Sequence, residues 1–135
     1  MSAITATPPA LNPLAMLVVD DEKTITFAIQ NYFVRRGYRV DCAQELEEAE
    51  ALMANVHYDV VIADLRLTGV HGSEGLEIVR SVRERYPKTR VILLTAYGSP
   101  EIEAAAIRYG VHSFLQKPKP LAELAQVVFN VVGCA

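Results

Sequence analysis

Thiols are scarce in this chain: Cys42 and Cys134 are the only two, and they stand in neither a CxxC nor a Cys/His ligand spacing. That pattern speaks against a disulfide framework and a thiolate zinc site, and it suits a reducing compartment, so a cytoplasmic location is expected. Long apolar runs are missing too. No stretch reaches the ~20 residues that a membrane-spanning helix needs, and no membrane association is expected. The N-terminal segment to Leu14 lacks a basic n-region and is broken by Pro8, Pro9 and Pro13, which is not how a secretory signal reads. Residues 1–13 are expected to form a flexible tail, and residues 14–135 a single domain. There is no excess of positive charge: a formal net charge of −3 gives no general attraction to a polyanion, so no direct contact with nucleic acid is expected. One basic run, Arg80, Arg83, Arg85, Lys88 and Arg90, is interleaved with Val82, Glu84 and Tyr86 and reads as a solvated helix face. His57, His71 and His112 show no metal-ligand spacing. They read as ordinary loop or helix-end residues.

What the chain does have is apolar content, 51% of 135 residues against 21% charged, enough for one substantial core and too little length for a second domain of ordinary size. Short apolar runs alternate with amphipathic stretches, the sequence form of repeated βα units around a parallel sheet. Five units can be counted, so an α/β fold is expected. Strands are expected at residues 16–19, 38–42, 60–63, 91–94 and 114–115. The run at 60–63, Val-Val-Ile-Ala, is continuous and uncharged, as befits a central strand covered on both faces. Residues 38–42 alternate apolar with polar and suit an edge strand. The first helix is expected over about 23–36, stopped by Gly37. The second is marked by Leu46, Ala49, Leu52, Met53 and Val56. The third carries Leu76, Ile78, Val79 and Val82 after a glycine-bearing loop over 65–75, and Pro87 ends it. Pro100 opens the fourth and Gly110 closes it. The last starts near Pro120 and carries Leu121, Leu124, Ala125, Val128 and Val132.

Four of these strands end in residues that phosphoryl chemistry uses: Asp20 and Asp21, Asp64, Thr95, and Lys117. In an open parallel sheet, ligands bind at the carboxyl ends of strands, beside the point where the winding reverses. Crowded carboxylates raise one another's pKa unless a cation lies between them, and Mg²⁺ takes oxygen ligands of this kind. Asp64 follows a strand of buried type and is a candidate nucleophile. An aspartate attacking phosphorus needs charge neutralisation and alignment, which a metal, a lysine and a hydroxyl supply together. Simpler readings stand beside these. Asp20 and Asp21 precede a helix and could serve as N-caps, Thr95 could bond backbone, and Lys117 could be a surface lysine before Pro118.

The set Val18-Val19-Asp20-Asp21-Glu22, Val61-Ile62-Ala63-Asp64-Leu65, Leu94-Thr95-Ala96 and Phe114-Leu115-Gln116-Lys117-Pro118 resembles a bacterial response-regulator receiver domain, over about residues 14–132. The resemblance implies a doubly wound, flavodoxin-like five-stranded sheet of order 2-1-3-4-5 with helices on both faces. It implies that Asp64 is the phosphoacceptor and that Asp21 and Asp64 bind Mg²⁺ with the backbone carbonyl of Arg66, Asp20 assisting through water. Thr95 and Lys117 would contact the phosphoryl oxygens. The donor would be a phosphohistidine on a sensor histidine kinase or phosphotransfer protein, or a small acyl phosphate. Phe114 would be a switch residue responding to Thr95, and the surface of the last two helices and last strand would serve homodimerisation or partner docking. On this reading the domain is not an enzyme in the ordinary sense; it catalyses only its own phosphorylation and dephosphorylation. The chain departs from the pattern at Thr68, where the family often has proline, and in a longer loop in which Gly72 and Gly75 both match a single family glycine. Bulky Arg66 and Tyr97 sit where the family controls water access, implying a long-lived phosphorylated state. In the last helix, Val127, Phe129 and Val131 exceed what one core face needs, which suits a partner surface or a face buried by a further domain.

Other functions remain open at this level. A haloacid dehalogenase-type phosphatase also combines an aspartate nucleophile with Thr, Lys and Mg²⁺, but carries its nucleophile in a DxD motif on the opening strand. A dinucleotide-binding domain shares the βα alternation, but the turn Asp20-Asp21-Glu22-Lys23 lacks the glycine fingerprint and would repel a pyrophosphate. A receiver-like interaction module working without phosphate is the remaining alternative.

Overall fold

A computed structural model describes residues 13–64, 74–96 and 98–133. Strands β1 (Ala15–Val19), β2 (Arg39–Ala43), β3 (Val60–Ala63), β4 (Arg90–Thr95) and β5 (Ser113–Gln116) alternate with helices α1 (Lys23–Val34), α2 (Leu46–Asn55), α3 (Glu74–Arg85), α4 (Pro100–Tyr109) and α5 (Leu121–Val132). Every pairing is parallel. The order across the sheet is β2-β1-β3-β4-β5, so the winding reverses between β1 and β3. The alternating strand indeed lies at an edge.

Successive strand side chains point to opposite faces, and the two faces gather two cores. Leu17, Val19, Val61, Ala63, Val91 and Leu93 pack with Ala49 and Met53 of α2, Ile78, Val79 and Val82 of α3, and Ala106 of α4. Met16, Val18, Val60, Ile62, Ile92 and Leu94 pack with Ile29 and Phe33 of α1 and with Leu124 and Val128 of α5. The three middle strands are therefore covered on both sides, which is why they read as unbroken apolar runs.

Some boundaries differ from expectation. α1 stops at Val34, two residues early, because Arg36 and Gly37 donate back to Phe33 and Val34 and Gly37 adopts φ 92°. Tyr38 belongs to this turn, its ring edge-on to Phe33 at 5.2 Å, so β2 starts one residue late. α3 already includes Glu74 and Gly75, which the sequence assigned to a loop. β5 gains Ser113 and Gln116, polar residues admitted by backbone pairing with Ile92 and Thr95. Pro100 and Gly110 do bound α4, with Ser99 capping it by accepting from the Ile102 N–H at 3.2 Å and Gly110 at φ 98°. Residues 1–12 of the expected tail, and Arg66, Thr68, His71, Gly72, Tyr97 and Cys134, lie outside the described residues.

Candidate functional site

Sheet register brings the strand ends together. Val19 is level with Ala63, so Asp20 and Asp64 each stand one residue past matched positions. Ala63 is level with Leu93 and Thr95 with Gln116, which puts Thr95 and Lys117 beside them. The backbone is tied at this edge: Asp64 N–H donates to Val19 O, and Lys117 N–H to Thr95 O. Asp20, Asp64 and Thr95 are buried, whereas Asp21 is exposed.

Carboxylate oxygens of Asp20, Asp21 and Asp64 lie within 4.8 Å of one another. Lys117 Nζ enters this acidic group, donating to Asp20 Oδ2 at 2.7 Å and to Asp64 Oδ2 at 3.2 Å, with Glu22 Oε1 at 3.5 Å. Asp20 Oδ1 accepts from the Glu22 N–H at 2.9 Å. Burial pushes the Asp20 carboxyl above its ordinary range, although Lys117 and the Glu22 N–H pull the other way. Burial alone would lower the Lys117 ammonium, but the bonds and charges of Asp20 and Asp64 hold it above its usual value.

The capping explanation for the acid pair does not hold. The N-cap of α1 is Glu22, whose own side chain makes no capping bond, and Asp20 accepts from the Glu22 N–H, before the helix. Among the described residues, Asp64 Oδ1 is buried without a hydrogen-bond partner. A buried carboxylate oxygen without a donor is costly. With three carboxylates this close, the donor set matches a hard divalent cation, whose ligands are oxygens and which usually keeps water for the rest of its shell.

Phe114 sits on the face of β5 that packs against the core containing Ala106, and is half-buried. Gly98, in the loop after Thr95, lies against its ring and against Gln116. Two neighbours were not singled out from sequence. Glu22 was visible as the acid following the pair; the contact of Gly98 with β5 carries no sequence signal, because it joins two loop and strand positions far apart in the chain. Of the expected group, the structure brings Asp20, Asp21, Asp64 and Lys117 together and puts Thr95 at the adjoining strand end.

Comparisons with known proteins converge. The family described as response regulator receiver domain matches residues 16–129. The regulatory protein AtoC of Escherichia coli is 35% identical over 84% of this chain and 24% of its own length. The chain thus spans about a quarter of the curated relatives it matches first. Among solved structures, a response regulator from Burkholderia pseudomallei, with a phosphorylated aspartic acid and a calcium ion, superposes at a TM-score of 0.78 with 25% identity, covering 86% of this chain and 66% of that one. The beryllofluoride-activated NtrC4 receiver domain dimer gives a TM-score of 0.75 and 30% identity, covering 84% and 93%.

Proposed function

The chain belongs to the response regulator receiver domain family, a signalling domain rather than a conventional enzyme, and on that premise we propose that Asp64 accepts a phosphoryl group. The observation that carries this reading is the state of its carboxylate: buried at a strand end, one oxygen held by Lys117 and the other without a donor among the described residues.

In the proposed reaction, an oxygen of Asp64 attacks the phosphorus of a phosphohistidine on a sensor histidine kinase or phosphotransfer protein, or of a small acyl phosphate. A P–O bond forms as the bond to the donor's leaving atom breaks, leaving an acyl phosphate on Asp64. Mg²⁺ would be held by Asp21 and Asp64 with the backbone carbonyl of Arg66, Asp20 assisting through water, and when bound it neutralises charge on the phosphoryl oxygens. Lys117 faces Asp64 already and supplies a fixed positive charge on the other side. Thr95, at the adjoining strand end, donates its hydroxyl to a phosphoryl oxygen, and Phe114 responds to that movement. The phosphorylated form then signals through the surface of α4, β5 and α5. Arg66 and Tyr97, as bulky neighbours of the site in sequence, are proposed to slow hydrolysis.

Incubation with acetyl phosphate and Mg²⁺, followed by mass measurement of the intact chain, tests this. One added phosphoryl group is expected, absent in Asp64→Asn and absent with EDTA. A chain that stays unmodified, or that carries the group elsewhere in Asp64→Asn at wild-type yield, would sink the reading.

A further inference from the structure

Gly37, Gly110 and Gly133 adopt positive φ, and Gly98 is not among them, so the missing side chain at Gly98 serves space and not backbone freedom. A Cβ built there would lie 2.5 Å from Nε2 of Gln116, 2.9 Å from Cε1 of Phe114 and 3.1 Å from its Cζ. Carbon atoms in contact prefer about 3.5–4.0 Å, so the ring distances fall well inside repulsion. The Gln116 amide ends a flexible chain and can swing aside. The Phe114 ring is rigid and can retreat only by changing rotamer. Phe114 and Gln116 are two apart on β5 and share a face, so Gly98 rests directly on that face.

The loop of Gly98 joins two functional places: it begins at Thr95, beside the carboxylates, and ends at Ser99, the N-cap of α4. We infer that Gly98 is a positioning residue, whose bare Cα lets the loop leaving Thr95 seat on the Phe114 ring, so that the place of the loop and the place of the ring are a single choice. A side chain at position 98 expels the half-exposed ring from this packing. The consequence for signalling rests on the phosphoacceptor reading. A phosphoryl group that draws Thr95 moves the same loop, and the contact passes the change to β5 by favouring the packing in which the ring has left.

The test compares wild type, Gly98→Ala, Phe114→Leu and the double variant; leucine keeps an apolar side chain but ends short of the atoms that a Cβ at 98 would strike. Gly98→Ala is expected to lower the Tm of the wild type and to lower it less in the Phe114→Leu background. In the absence of phosphate, Gly98→Ala should also shift the amide resonances of residues 113–116 along the line that beryllofluoride draws in the wild type. Equal Tm losses in both backgrounds, or shifts of 113–116 off that line, overturn the inference. A wild type that neither responds to beryllofluoride nor takes a phosphoryl group overturns the phosphoacceptor reading instead, and the thermal cycle then still decides whether Gly98 positions the ring.

Discussion

Lys117 answers two buried acids at once, and its side chain is itself only 12% exposed. An ammonium so placed is the counter-charge that lets Asp20 and Asp64 share one end of the sheet. Taking it away leaves two close carboxylates without compensation. Removing one partner of a buried ion pair costs about 3–5 kcal/mol, and the exposure of Asp21 and Glu22 beside it argues for the lower end of that range. Lys117→Met, which keeps most of the side-chain volume, is therefore expected to lower stability by ~3 kcal/mol in EDTA. A divalent cation offers the same acids a second way to be neutralised, so Mg²⁺ should raise the Tm of Lys117→Met more than that of the wild type. Thermal unfolding of both proteins with EDTA and with Mg²⁺ measures this. Equal metal-induced gains would mean that the ammonium and the cation do not compete for the same oxygens.

At the scale of elements, one backbone N–H of β4, that of Val91, is handled by a side chain. Val91 N donates to Nδ1 of His112 at 3.0 Å, just before β5 begins, while His112 N donates to Val91 O. An imidazole accepting at Nδ1 must be unprotonated there. Burial lowers the His112 pKa, with the charges of Arg83 and Arg90 adding to the effect. Because the folded value lies below the unfolded one near 6.5, the unfolded chain binds more protons between the two. The stabilisation is complete above about pH 6.5 and is lost as pH falls toward the folded value. His112→Asn can keep an acceptor for Val91 without titrating, so its Tm should fall less than the wild type's between about pH 7 and pH 5. Parallel slopes in the two proteins would contradict this. His112 also marks what sequence could and could not convey. Strand β3 was legible to the residue because burial on both faces leaves a run of apolar side chains. Tyr38 was misplaced because its assignment depends on a local turn closing back on Phe33, and Ser113 because its assignment depends on pairing with Ile92, a partner remote in the chain. The residues of the acidic site were legible as strand-end types, but not that Lys117 would approach Asp20 more closely than Asp64, nor that Gly98 would touch β5. Likewise Arg90, grouped with a helix face, belongs to β4 and donates to Val131 O at 3.1 Å.

Over the whole molecule, parallel strands all point toward the acidic site and the helices run back, so helix N-termini lie at that end and C-termini at the other. Charge follows the helix dipoles: Glu47, Glu48, Glu101, Glu103 and Glu123 occupy first turns, and Arg83, Arg85 and Arg108 last turns. Within the basic run, Arg83 and Arg85 thus complement the C-terminus of α3. Apolar exposure is distributed differently. Val127 and Val131 of α5 pack partly against the core beside β1 and β3, leaving Phe129 at 56% exposure, with Ile107 at 61% and Tyr109 at 42% on α4. β5 lies between α4 and α5 as an edge strand, half-exposed along most of its length. A large aromatic side chain held in water gains by being covered, roughly 25 cal/mol per Å² of apolar area removed from solvent, and this flank is where the proposed phosphorylation signal would be read. Phe129→Glu is expected to leave the mass adduct with acetyl phosphate unchanged, since the side chain takes no part in the acidic group. In sedimentation velocity, the phosphorylated wild type should show a sedimentation coefficient that rises with concentration, and the variant should not. If the phosphorylated wild type and Phe129→Glu rise alike, the association does not run through α5, and the exposed ring is tolerated at no functional gain.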